Sequence, residues 1–87
     1  MSASSMFGRT KMNKGRRSSL KEATSLLDRA ISLISDARDE EQDCLDNLPE
    51  NLQNSERYES MENAIDNLED ALDKIDEAKE SISEAVA

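Results

Sequence analysis

The sequence predicts an all-α protein: an antiparallel two-helix hairpin of coiled-coil type behind a disordered, basic N-terminal tail. Phe7 and Tyr58 are the only aromatic residues among 87, and Leu, Ile, Ala, Met, Glu, Asp and Lys dominate. This is the composition of long helices rather than of β-sheets. Apolar residues also recur at steps of three and four along two segments of similar length, which a short Pro- and Asn-containing segment separates.

We divide the chain into two parts. Residues 1–18 form the tail, because they are rich in Ser, Gly and basic residues and show no apolar periodicity. Residues 19–87 form an acidic hairpin, with helices at about 19–47 and 55–86 and a turn at about 48–54. The predicted helix caps and helix stop are Ser18 or Ser19 (with Glu22 three residues after Ser19), Pro49, and Asn54 or Ser55.

Each predicted helix has an apolar seam that faces the other helix. The expected first seam is Leu20, Ala23, Leu27, Ala30, Ile34, Ala37, Cys44 and Leu48, with Glu41 as its polar interruption. The expected second seam is Tyr58, Met61, Ile65, Leu68, Leu72, Ile75, Ile82 and Val86, with Lys79 as its polar member. Alanine recurs every seven residues in both helices, which predicts a close interface between them.

Some apolar residues lie beside the first seam and have no partner in the predicted hairpin. Leu26, Leu33 and Leu45 are the candidate self-association residues. Because two helices cover only part of each other's apolar surface, we expect these leucines to contact a second copy, giving a four-helix bundle, or a different protein.

Charge is distributed unevenly along the chain. Residues 1–19 carry +5 and residues 20–87 carry −14, which together give the net charge of −9. The acidic body should repel nucleic acid and anionic membranes. Contact with nucleic acid or with an acidic partner is therefore expected only through the basic residues of the tail, namely Arg9, Lys11, Lys14, Arg16 and Arg17.

The residue types argue against catalysis. The chain has no His and one Cys, Cys44, so it offers neither the usual nucleophile–base pair nor a common zinc or iron ligand set. We therefore predict no enzymatic activity, no metal, no cofactor and no small-molecule substrate. A single cysteine excludes an internal disulfide, and no apolar run has the length of a membrane span.

The turn and the sequence around it resemble a group of short acidic helical-hairpin proteins encoded by bacteriophages, prophages and other mobile elements of bacteria. The likeness covers Arg16 to the C-terminus, and its most specific part is the Asn-Leu-Pro-Glu-Asn-Leu-Gln-Asn-Ser-Glu-Arg segment that starts at Asn47. No activity is assigned to that group, so the resemblance transfers no functional residues. It implies a setting in the bacterial host cytoplasm or in a virion.

Function is accordingly expected to lie in binding. The leading interpretation is an inhibitor or adaptor that docks on a host or phage protein. The alternatives are a structural or assembly component of a phage particle and an acidic nucleic-acid mimic. The candidate partner-binding residues surround the turn, at one tip of the hairpin: Glu50, Gln53, Asn54, Arg57 and Tyr58.

Overall fold

The computed structural model describes residues 12–87, which form two long helices joined by a short tip. Helix α1 spans Lys14–Asp46 and helix α2 spans Glu56–Val86, with a single 3-10 turn at Glu50–Leu52 between them. The helices are antiparallel, because Arg17 near the start of α1 contacts Val86 at the end of α2. The predicted helical hairpin is confirmed.

Helix α1 begins earlier than the sequence predicts. Asn13 is its N-cap, and the Asn13 side-chain oxygen accepts a hydrogen bond of 2.8 Å from the backbone N–H of Arg16. The predicted cap at Ser18 or Ser19 is therefore wrong, since both serines lie inside the helix. The hairpin consequently includes residues 14–18, which the sequence assigned to the tail. Of the rest of the predicted tail, Met12 and Asn13 directly precede α1, and residues 1–11 lie outside the described residues.

The tip contains the residues that end the first helical segment and begin α2. Pro49, which has no backbone N–H to donate, precedes the 3-10 turn. Ser55 caps α2, and its hydroxyl oxygen accepts a hydrogen bond of 3.3 Å from the backbone N–H of Tyr58. Of the two predicted caps for α2, the structure uses Ser55. The negative charges of Glu56 and Glu59 in the first turn suit the positive end of the helix dipole.

The predicted seam of α2 is confirmed along its whole length. The side chains at its nine positions are all buried or half-buried, from Tyr58 and Met61 through Lys79 to Val86, whereas most residues between them are exposed. The steps alternate strictly between three and four residues, which is the heptad repeat of a coiled coil.

Of the two rows predicted for the α1 seam, one is confirmed and the other is wrong. Its first row, Leu20, Leu27, Ile34, Glu41 and Leu48, is half-buried as expected. The second row is not the row of alanines and Cys44. It is shifted by one residue, to Thr24, Ile31, Arg38 and Leu45. Ala23 and Ala30 are half-buried at the edge of the seam, while Ala37 and Cys44 are exposed. The alanines thus flank the helix–helix interface and do not line it.

The best-packed part of the hairpin lies next to the tip. Leu45, Met61 and Ile65 are the only buried residues of the described chain, and Leu48 and Tyr58 pack against them. The molecule measures 66 × 19 × 13 Å, so it is a single layer two helices wide. Both broad sides of this layer are consequently open to solvent.

Candidate functional site

The tip brings together four of the five predicted partner-binding residues. Glu50, Gln53, Asn54 and Tyr58 line one concave surface with Asn51, whereas Arg57 is exposed outside it. Tyr58 links this surface to the buried cluster, because it lines the concavity and also packs against that cluster. The best-packed part of the hairpin therefore supports a surface of amide, carboxylate and phenol groups.

The two broad sides of the hairpin differ in chemistry, and one carries the ion pairs between the helices. Lys79 donates to the Asp28 carboxylate, and Arg38 donates to Glu69 over 3.0 Å. Asp28 and Glu69 each directly follow a seam residue, Leu27 and Leu68, so they lie on the same side of the antiparallel pair. We call this side the charged face. It is defined by Lys21, Asp28, Ser35, Gln42, Glu62, Glu69, Asp76 and Ser83.

The opposite broad side has small side chains along its centre and few carboxylates, and we call it the alanine face. Its central rows consist of the residues that directly precede a seam position: Ala23, Ala30, Ala37 and Cys44 on α1 and Ala64, Ala71, Ala78 and Ala85 on α2. The positions three residues after each alanine lie on the same side. On α1 these include Leu26 and Leu33, whose exposed fractions of 63% and 58% make them the two most exposed large apolar residues of the described chain.

Leu45 does not belong to this surface. Its exposed fraction is 9%, and it packs with Met61 and Ile65 inside the hairpin. The prediction that Leu45 lacks a partner within two helices is therefore wrong. The error follows from the shifted second row of the α1 seam, which turns Leu45 inward and Cys44 outward. Self-association through Leu26 and Leu33 stays a prediction.

Three of the basic residues that the sequence assigned to the tail belong to α1. Lys14, Arg16 and Arg17 are exposed in its first turn, whereas Arg9 and Lys11 lie outside the described residues. Arg17 donates a hydrogen bond of 2.6 Å to the backbone carbonyl of Val86. A cation is favourable there, because the last carbonyls of a helix carry partial negative charge.

A groove of about 690 Å³ opens between the helices at this end of the hairpin. Lys14 and Arg17 line it together with Lys21 and Lys79, two cations that are not among the predicted site residues. Lys79 could have been found from its place in the α2 seam, because antiparallel pairing brings that position close to the start of α1. The apolar part of the lining comes from Leu20, Ile82 and Val86.

Ion pairs raise the pKa values of two lysines. The hydrogen bond that Lys79 donates to Asp28 raises the pKa of Lys79 above its usual 10.5, and the hydrogen bond that Lys74 donates to Asp70 raises the pKa of Lys74. Lys74 Nζ lies 2.8 Å from Asp70 Oδ2, and Asp70 precedes Lys74 by one helical turn on α2. Both lysines therefore lose their proton at a higher pH than an isolated lysine does.

The described residues contain no group of three or more His, Cys, Asp or Glu side chains placed to hold a metal ion. Neither α1 nor α2 is long and apolar enough to cross a membrane.

No family model, curated protein or solved structure matches the chain in the comparisons with known proteins.

Proposed function

We propose that this chain is a non-enzymatic binding protein, an inhibitor or adaptor that docks its tip on a host or phage protein. The observation that carries the proposal is the concave surface of Glu50, Gln53, Asn54 and Tyr58 beside the buried cluster. A backbone held next to a well-packed cluster has less conformational freedom to lose on binding, which favours specific docking. The resemblance to phage-encoded hairpins supports the bacterial setting.

Site-specific photo-crosslinking tests this proposal. A photoreactive amino acid replaces Gln53 at the tip, and in a second variant it replaces Asp73, an exposed residue midway along α2. Each variant is exposed to bacterial lysate, and cross-linked proteins are identified by mass spectrometry. The tip probe should capture a defined protein that the Asp73 probe does not capture, and unlabelled wild-type protein should compete for it.

A paired substitution provides the control for tip recognition. Unlabelled protein carrying Glu50→Ala and Gln53→Ala should compete poorly, whereas protein carrying Asp66→Ala and Asp73→Ala should compete as well as the wild type. All four residues are exposed, so neither variant should disturb the buried cluster. Equal capture from both probe positions would contradict docking by the tip.

A second candidate function is mimicry of nucleic acid. The specific observation is that carboxylates occur on every side of the rod except the alanine face, where they are scarce. They extend along a body of 66 Å. A mimic would contact its target along this length, so the Asp73 probe would capture it as well. Its binding would also weaken steeply with salt and would be displaced by DNA or RNA. Tip docking predicts none of these results.

A further inference from the structure

We propose that the alanine face binds the alanine face of a second copy of this chain, so that four helices pack as one bundle. This inference concerns a different surface from the proposed tip docking and does not depend on it. Leu26 and Leu33 carry the first part of the argument. Both are more than half exposed on the described chain, and they lie beside rows of small side chains.

The placement of the carboxylates carries the second part. The chain contains 20 Asp and Glu residues, and Glu40 is the only one at a position of the alanine face. The other charged positions there are Arg16, Arg57 and Lys74, and Lys74 is paired with Asp70. A charge of −14 on residues 20–87 opposes the approach of two copies in most orientations. Stacking the alanine faces keeps nearly all carboxylates on the outside and apart.

The shape of the hairpin carries the third part. A face bounded by extents of 66 and 19 Å offers on the order of 1,000 Å² per partner, whereas a stable interface needs about 800 Å² per partner. Two stacked layers of two helices also give the arrangement of a four-helix bundle.

The side-chain sizes on the face favour a copy of itself as the occupant. Leucine side chains on one layer require small residues opposite them, because close packing alternates large and small side chains across an interface. The alanine face supplies both kinds in one surface: Leu26 and Leu33 on α1, and the alanine rows on both helices. A second copy therefore matches the face in side-chain size and in length, and it brings few carboxylates to the interface.

Sedimentation velocity on the full-length protein, from low micromolar to near-millimolar concentration, tests this inference. The wild type should shift from monomer to dimer over this range, and added salt should strengthen the dimer because it screens the repulsion between the acidic bodies. Leu33→Glu should weaken the dimer at least tenfold. Ala78→Glu on α2 should do the same, because both helices contribute to the face.

Ser32→Glu is the matched control. It adds the same charge next to Leu33, at an exposed position that points away from the alanine face, and should leave the dimer as strong as in the wild type. Circular dichroism at low concentration should show the same helix content in all three variants, since each changes an exposed residue. A strict monomer at every concentration would overturn the proposal. So would a dimer that salt weakens, or equal losses from Ser32→Glu and Leu33→Glu.

Discussion

Lys79 on α2 donates a hydrogen bond to the Asp28 carboxylate on α1, although Lys79 occupies a seam position where apolar residues predominate. Its half-buried side chain crosses from the seam to the charged face. The seam accommodates this charge because the opposite helix offers a carboxylate partner at its edge. Arg38 on α1 also lies in the seam, and its Nη1 lies 3.0 Å from Glu69 Oε2 on α2.

The Lys79–Asp28 pair predicts a specific loss of stability at high pH. The pair raises the pKa of Lys79 above 10.5 in the folded protein, so its contribution is fully present below pH 10.5 and is lost as the pH rises through the folded pKa. The difference in Tm between the wild type and Lys79→Met should therefore shift against the wild type as the pH rises from 9 to about 12. A difference that stays constant across this range would show that the pair has no such effect.

The position of the α1 N-cap gives a second prediction. Asn13→Ala should lower the free energy of unfolding by about 1 kcal/mol, because the backbone N–H of Arg16 loses its acceptor. Ser19→Ala is the control, and it should be neutral or slightly stabilising because Ser19 lies within the helix, where alanine is favoured by up to about 0.5 kcal/mol. Urea unfolding of both variants decides the matter. A larger loss from Ser19→Ala would place the cap at Ser19 and contradict the cap at Asn13.

A third prediction separates the inward leucine from the outward ones. Leu45→Ala should lower the free energy of unfolding by about 2–5 kcal/mol, because it removes a side chain packed against Met61 and Ile65. In a hairpin with so small a core, that loss is enough to leave much of the chain unfolded. At low micromolar concentration, Leu33→Ala should cost less than about 1 kcal/mol, since Leu33 is exposed. Thermal melts followed by circular dichroism would contradict this assignment if the two losses were equal.

The fold and the α2 seam could be predicted because the apolar residues of α2 leave a single consistent heptad. In α1, by contrast, two neighbouring rows compete. The row of Ala23, Ala30, Ala37 and Cys44 is apolar throughout, whereas the row that faces α2 contains Thr24 and Arg38. Local hydropathy favours the first row. The second faces α2 because it supplies the bulk of Ile31 and Leu45, and because Arg38 reaches Glu69.

The start of α1 was missed for a related reason. Ser19 and Glu22 form a local capping signal, but α2 continues to Val86, and its last turns need cover from the opposite helix. Extending α1 back to Lys14 places Arg17 against the Val86 carbonyl. At the tip, sequence spacing was enough to group Glu50, Gln53, Asn54 and Tyr58. Arg57 lies outside the group because it is seven residues before Ala64 and therefore points to the same side of α2 as the alanine row.

The pairing of two alanine faces can be tested most directly through Cys44, an exposed thiol in the α1 row of that face. Its alkylation rate is measured from low micromolar to near-millimolar protein concentration. In a Cys44→Ser background, Ser32→Cys supplies a reference thiol that points away from the face. Alkylation of Cys44 should slow markedly as the concentration rises, because the second copy covers it, while the reference thiol reacts at an unchanged rate. A Cys44 rate that does not depend on concentration would contradict the pairing.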